Sequence, residues 1–563
     1  MQLRSRARTL AREPWLVLVP LVVAQWAAVG IFATVVRHNG WLFYQGGDQL
    51  AFYTDAWLLG HGHIPEASIG YGWSFVLTPI AWIFGVNVIS ALPAIVLFQV
   101  VILLPVSLLA VYGIGARVGG RIVGYTAAAL WVFLPYAVIP LWDQRYHAKY
   151  VEQFLPQALG LTGLGDFPSM VALLVSAYFL VRALDTRAPV EGAVAGLAAG
   201  FAIAIKPANA IFLPAAAVGF LLARRWRPGL AFAGALIPFM LTLAVWKYRG
   251  LGHLPVITPA PKALALGRDA LIAPTPLLAS VGDYIKLDWS RLGDNLAQFR
   301  EFFWSPRAIE WVPIAGVLGV ARRSIPKAAF LGLWFLLFFV IKGTSPNQSV
   351  EGGTFLRLFM PGFPPYTILA ASILLLIPTL GPRLADRRPP ATPSLTWRSR
   401  PLIALAAVFA LAPLLFVLVG SPYNQPDATK FFEQNVYVPV DNGFHVQVTA
   451  TPGGELIRWK PPRPTGTRVF YVVFRSPTQQ TAPDPTLPPG HQGIRCLPPT
   501  GGALDCRLEM QDIGRTRGGV WRDPDVLPAG EWTYRIGVAA NWIDDQSTGG
   551  DVVLVSRPAV IPD

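Results

Sequence analysis

Charge is what this chain has least of. Only 14% of its 563 residues are charged, where soluble domains carry about 25%. Acidic residues are the scarcer sign, 32 Asp+Glu against 46 Lys+Arg. A water-soluble globular protein is thereby excluded. Cysteine is almost absent, with Cys496 and Cys506 the only two, so neither a disulfide-stapled scaffold nor a cysteine-rich metal centre carries the fold. Histidine is sparse too, seven in all. His61 and His63 come as Gly-His-Gly-His, a spacing that cannot put both imidazoles on one helical face, and no carboxylate cluster accompanies them, so no metal site is read there. No segment repeats at a fixed period, which excludes a solenoid. The basic residues do not gather on one soluble face, so no nucleic-acid partner is implied.

What fills the chain instead is apolar sequence: 53% hydrophobic residues and a mean hydropathy of +0.46. Long apolar runs recur along residues 1–420, each at or near the ~20 residues that cross a ~30 Å hydrocarbon layer. The first, Trp15–Val36, is too long for a signal-peptide core and lacks a small-residue cleavage site. Residues 421–563 hold 13 Lys+Arg against 15 Asp+Glu, leaving 33 against 17 in residues 1–420. The excess matches basic cytoplasmic loops under the positive-inside rule. Arg4, Arg6, Arg8 and Arg12 put the N-terminus in the cytoplasm. Later clusters at Arg117/Arg121, Arg182/Arg187, Arg224/Arg225/Arg227, Arg322/Arg323/Lys327 and Arg383–Arg400 fix the parity of the rest. Spans are expected near 15–36, 88–114, 122–141, 167–184, 189–205, 208–223, 228–246, 308–321, 326–342, 354–378 and 401–420. Segment 72–85 is apolar but short. Crossing fully, it would put Arg117 and Arg121 outside, so it is read as re-entrant or interfacial. Loops 37–87, 142–166 and 247–307 and the tail from Ser421 then lie outside.

The fold class expected is a mainly α polytopic protein of about 11 transmembrane helices, sited in the cell (plasma) membrane, with a C-terminal extracytoplasmic all-β sandwich. The boundaries expected are residues 1–420 for the membrane domain, 421–443 for a linker and 444–563 for the sandwich. From Phe444 the pattern turns to short alternating runs, HVQVTATP, ELIRWKPP, RVFYVVFRS, EWTYRIGVAA and DVVLVSRPAV, separated by Pro/Gly turns. Trp459, Tyr471 and the run from Leu527 to Tyr534 resemble a fibronectin type III domain, with Tyr534 at its tyrosine corner. Cys496 and Cys506 fall in an insert between strands. Outside the cytoplasm they are expected to close a short loop as a disulfide.

Residues 44–65, YQGGDQLAFYTDAWLLGHGHIP, follow the first span. Asp48 comes after Gly46-Gly47 and can cap a helix reaching about Leu59. Leu50, Tyr53 and Trp57 share a face, as do Asp48 and Asp55, so the helix is expected to lie on the membrane surface. Ile285, Trp289, Leu292, Leu296, Phe299 and Phe303 recur at helical spacing and predict a second surface helix.

The Asp-x-x-x-x-Tyr helix Asp48–Tyr53, followed by a Tyr71-Gly entry to a Pro-containing apolar segment, resembles the first external loop of GT-C glycosyltransferases. The closest likeness is to the polyprenyl-phosphate-sugar group that includes the aminoarabinose and protein-mannosyl transferases. GDFPSMVALLVSAYFLVRAL, GLAAGFAIAIKPANAIFLPA and FLRLFMPGFPPYTILAAS resemble later segments in order, with Asp166, Lys206 and Arg357 in the matching places. The resemblance covers roughly residues 15–420. It implies a membrane enzyme that takes a sugar from a polyprenyl-phosphate donor and passes it to an extracytoplasmic glycan, lipid or protein of the cell envelope. A flippase for lipid-linked sugars is the alternative. A divalent cation (Mg or Mn) stays open as a cofactor, although the family's Asp-Glu pair is Asp48-Gln49 here.

The chemistry sought is one inverting displacement, with a carboxylate base for the acceptor hydroxyl and cations for the leaving phosphate. Asp48 is the candidate base, and Asp166 would orient the acceptor or a cation. Lys206, Arg357 and Lys149 are the candidate phosphate ligands, and Tyr53, His63 and Tyr71 the candidate substrate contacts. Lys247, Arg249 and His253 are read as donor contacts or interfacial anchors.

Overall fold

The computed structural model describes residues 13–39, 42–43, 47–65, 67, 69–142, 146–147, 149–251, 254, 287–304, 307–345, 348–378, 400–422, 428–431, 437–441, 443–462, 469–478, 494–496, 506–508, 511–540 and 551–562. His253 lies outside the described residues, as do the side chains of both cysteines.

Helices α1 (Trp15–Val35) and α2 (Gly47–Gly60) lead to the two-residue strand β1 (His63–Ile64) and to α3 (Gly72–Phe84). Then come α4 (Val88–Gly119), α5 (Arg121–Trp142), α6 (Asp166–Thr186), α7 (Pro189–Ile205), α8 (Phe212–Leu222) and α9 (Trp226–Leu251). Helices α10 (Trp289–Phe302), α11 (Val312–Ala321), α12 (Ile325–Gly343), α13 (Thr354–Leu376) and α14 (Arg400–Val419) complete the helical part. Each of the eleven expected spans falls on a helix. Among the described residues six helices, α1, α4, α6, α9, α12 and α13, are long and apolar enough to cross a membrane. Large side chains such as Trp15, Val23, Leu97, Leu230, Leu405 and Leu415 stay exposed on this part, an apolar surface of the kind that faces lipid rather than water.

Small residues let the helices meet closely. Gly192, Gly196 and Gly200 recur every four residues on α7. An added Cβ would come within 2.2 Å of the Pro228 and Phe232 carbonyl oxygens at the first two. Membrane helices pack this way because lipid offers no hydrophobic drive between them. The α7–α9 contact so formed fixes where the end of α7 stands. Helix α3 has 13 residues, about 20 Å at 1.5 Å per residue, which is too short to cross. Gly72 at its start abuts Ile205 at the end of α7, and Gly85 after its end accepts a hydrogen bond from Tyr53 of α2.

The structure corrects the expectation for α2. It is buried on nearly every side, with Asp55 only 3% exposed. Helices α3 and α4 cover one flank, and strand β4 of the C-terminal part covers another. The expected linker 421–443 is likewise partly structured: it carries β2 (Ser421–Pro422), β3 (Ala428–Phe431) and β4 (Tyr437–Asp441). Strand β2 pairs in parallel with β1, tying the chain leaving α14 to the first loop.

The remaining strands are β5 (Gln447–Thr451), β6 (Gly454–Arg458), β7 (Val469–Pro477), β8 (Ile494–Cys496), β9 (Cys506–Leu508), β10 (Gln511–Thr516), β11 (Val520–Asp523), β12 (Trp532–Ala540), β13 (Asp551–Ser556) and β14 (Ala559–Val560). One sheet runs β11-β6-β5 and the other β10-β7-β12-β13-β4-β3-β9-β8. Ile457, Trp459, Tyr471 and Ile536 are buried in the same apolar core as Leu50 and Tyr53 of α2. Tyr534 is fully buried, but its hydroxyl donates to the Asp523 carboxylate at 2.8 Å rather than to backbone. Strands β8 and β9 set Cys496 directly opposite Cys506 in antiparallel register.

Candidate active site

Four of the predicted site residues, from four separate segments, meet at one end of the helical part. Asp48 stands in the first turn of α2, where a carboxylate suits the helix dipole. Asp166 opens α6. The loop before it is pinned by Trp73 Nε1 donating to Gly163 O at 2.9 Å and Gln99 Nε2 donating to Thr162 O at 2.6 Å. Gln49, in the place of the family's second acid, accepts from Gly163 N at 3.3 Å. It therefore helps hold the Asp166 loop.

Lys206 ends α7 in extended conformation, φ −133° and ψ 105°, because Pro207 disfavours the helical region for the residue before it. Its backbone is fixed by Lys206 N donating to Ala202 O and Asn209 N donating to Lys206 O, both at 2.9 Å. Gly70 lies against this turn. A Cβ there would sit 2.2 Å from Ala204 O and 2.3 Å from Ile205 O, so only glycine permits the approach. Arg357 lies in the first turns of α13, which starts after Gly353 in the left-handed region at φ 78°.

The Lys206 ammonium pairs with Asp166 Oδ1, and Arg357 Nε donates to Asp166 Oδ2 at 3.1 Å. Arg357 Nη2 also reaches Asp48 Oδ2. Each oxygen of Asp166 thus has a cationic donor, and one guanidinium spans both acids. Asp166 is 3% exposed and Asp48 45%, so the first is sealed in and the second is open to an incoming group. A cavity of about 190 Å³ is lined by Asp48, Asp166, Lys206, Ser169 and Asn209, and by Lys342 at the end of α12. A second, apolar cavity of about 310 Å³ is lined by aromatics including Phe154, Phe303, Trp304 and Phe359. The two open on either side of one stretch of α13. Leu358 and Pro361 face the polar cavity, and Leu356 and Met360 the apolar one.

The other predicted contacts are not brought here. Lys149 is exposed on a π-helical turn, Lys149–Phe154, and does not line the polar cavity. Tyr53 is buried, with its hydroxyl on Gly85 O at 2.5 Å and its ionisation pushed up by desolvation. Tyr71 is buried against Phe75 and Trp246. His63 Nδ1 lies 3.0 Å from Ser421 Oγ, at the β1–β2 junction. Lys247 donates to the Ala67 and Ile69 carbonyls, and Arg249 to Leu418 O at 2.9 Å. Lys247 thus orders the first loop from behind, and Arg249 caps the end of α14. Lys342 carries a legible signal: the expected topology puts this lysine at the outer end of a span, against the positive-inside rule.

The donor set does not fit a divalent cation. Hard cations take several carboxylate or carbonyl oxygens, whereas here Arg357 and Lys206 already engage the carboxylates. Among the described residues no group of three His, Cys, Asp or Glu side chains is placed to hold a metal.

A family model described as dolichyl-phosphate-mannose-protein mannosyltransferase matches residues 153–248, which carry Asp166 and Lys206. Among solved structures, ArnT from Cupriavidus metallidurans bound to undecaprenyl phosphate is similar at 15% identity and TM-score 0.39, covering 72% of this chain and 71% of that one. The oligosaccharyltransferase AglB from Archaeoglobus fulgidus, in complex with an inhibitory peptide and a dolichol-phosphate, is similar at 12% identity and TM-score 0.37, covering 72% of this chain and 56% of that one. No curated protein matches the chain.

Proposed function

We propose that the chain is a membrane glycosyltransferase of the GT-C type, a reading supported by the family match over residues 153–248, and that it moves a monosaccharide from a polyprenyl-phosphate carrier onto an extracytoplasmic hydroxyl, with inversion. The observation that carries this reading is the half-exposed Asp48 carboxylate held by Arg357 beside the buried Asp166–Lys206 pair. Among the described residues only Oδ2 of Asp48 is engaged, so Oδ1 is left to accept the acceptor's O–H. The acceptor oxygen attacks the anomeric carbon, its proton passes to Asp48, and the bond to phosphate breaks with its electron pair on the phosphate oxygen. Asp166 does not take a proton in this scheme. It fixes Arg357 and Lys206, the positive groups facing the leaving phosphate. The apolar cavity beside α13 holds the first isoprene units of the carrier.

The test is turnover of a panel of polyprenyl-phosphate sugars (mannose, arabinose, glucose, galactose) by the purified protein. Wild type is expected to release polyprenyl phosphate from at least one of them. Asp48→Asn is expected to lower that rate about 10²- to 10⁴-fold, the usual worth of a general base. Carrier release at the wild-type rate by Asp48→Asn would remove the base assignment, and no release from any donor by wild type would favour the flippase.

A further inference from the structure

Among the described residues three cations and two carboxylates share the polar site, and their pairing is uneven. Lys206 and Arg357 take both oxygens of Asp166, and Arg357 takes one of Asp48. Lys342 lines the same cavity from α12 and makes no ion pair among the described residues. The cluster therefore carries one formal positive charge in excess, located on Lys342. An uncompensated ammonium at a partly apolar boundary is expensive unless an anion joins it.

Resting on the reading above, we propose that Lys342 is the seat of the donor's phosphodiester, and that Arg357 is held in reserve for the second charge of the leaving phosphate. A sugar phosphodiester has one negative charge, which matches the single excess cation. As the anomeric carbon–oxygen bond breaks, the phosphate becomes a monoester with a second negative charge. At the same step Asp48 takes the acceptor's proton and loses its negative charge. The total charge in the cavity stays constant. Arg357 Nη2, no longer facing an anionic Asp48, turns its donor to the phosphate oxygen that has just received the electron pair. Lys206 faces the phosphate but stays paired with Asp166 throughout, which keeps the Arg357 Nε anchor in place. Base and leaving-group stabiliser are thus coupled through one guanidinium, and neither carboxylate needs a metal.

The test separates binding from turnover. Undecaprenyl phosphate, with undecaprenol as the neutral control, is titrated into the full-length protein in nanodiscs. Lys342→Met is expected to weaken binding of the phosphate about 10- to 100-fold, the range of a charge-assisted hydrogen bond, with undecaprenol binding unchanged. In turnover the loss should appear chiefly in KM for the donor, and Lys342→Arg should restore most of it. Unchanged melting temperatures of both variants would exclude a folding defect. Wild-type phosphate affinity in Lys342→Met, with the loss found in Lys206→Met instead, would overturn the proposal and leave the transferase reading standing. Failure of wild type to turn over any donor would count against the transferase reading while the binding result still judged Lys342.

Discussion

Asp48 and Asp166 are the same residue type, each at the start of a helix, yet their surroundings divide the work between them. Asp166 is nearly sealed, with a cation on each oxygen, and burying a charge is tolerable only when it is so paired. Asp48 is open, with one oxygen engaged. Arg357 suits the bridging place because its planar fork offers several donors in fixed directions, which a lysine cannot. The same pairing decides the cation question. Since ammonium and guanidinium already satisfy the acids, transfer is expected to survive stripping with EDTA at an unchanged rate. Loss of turnover that Mg or Mn restores would mean that a metal displaces Lys206 or Arg357 in the working enzyme.

At the scale of elements, the site depends on how the loop between α12 and α13 is held, because Lys342 and Arg357 stand on either side of it. Helix α10 does the holding. It is capped by Asp288, whose Oδ1 accepts from Ser290 N and Arg291 N at 3.1 and 3.2 Å. Asn295 Nδ2 donates to Gly343 O at 2.9 Å and to Gln348 O at 3.2 Å, and its Oδ1 accepts from Val350 N at 3.1 Å. The helical spacing of Ile285 to Phe303 predicts this helix, but not that its polar Asn295 is buried and acts as a clamp. Asn295→Ala leaves buried backbone groups unpaired, which costs about 1–3 kcal/mol. It is therefore expected to lower both the melting temperature and kcat. A variant that melts earlier but turns over normally would show that the loop keeps its shape without α10.

Over the whole molecule, charge is sorted between two ends. At the end opposite the candidate site, Lys327 pairs with Asp185 at 2.6 Å and Arg225 Nε donates to Leu184 O at 2.9 Å. These are the residues whose basic character sets the expected cytoplasmic side. At the candidate-site end the C-terminal strands share one apolar core with α2. Within them the buried pair Arg475–Asp523, at 2.9 Å, also accepts the Tyr534 hydroxyl. Asp523→Ala strands a buried guanidinium, a loss of about 3 kcal/mol, at the low end for such pairs, because Asp525 and Gln511 still contact Arg475. Earlier trypsin cleavage among the C-terminal strands and a fall in transfer rate are both expected, since α2 carries Asp48. Early cleavage with full activity would mean that the membrane helices alone hold α2.

Composition and periodicity by themselves determined the membrane class, the helices under each expected span and the strands after Phe444, because hydrophobic length and alternation are local properties of the chain. Charge parity assigned Asp48, Asp166, Lys206 and Arg357 to one side, and the structure joins all four in one ion-pair cluster. Only the tertiary structure decided that Lys342 joins them, that Lys149, Tyr53, His63 and Tyr71 do not line the cavity, and that α2 is enclosed rather than lying on a surface. Those outcomes depend on which helix faces meet across hundreds of residues. Close approach at Gly70, Gly192 and Gly196 and the docking of β4 set those faces, and no local pattern encodes the partner on the far side of a contact.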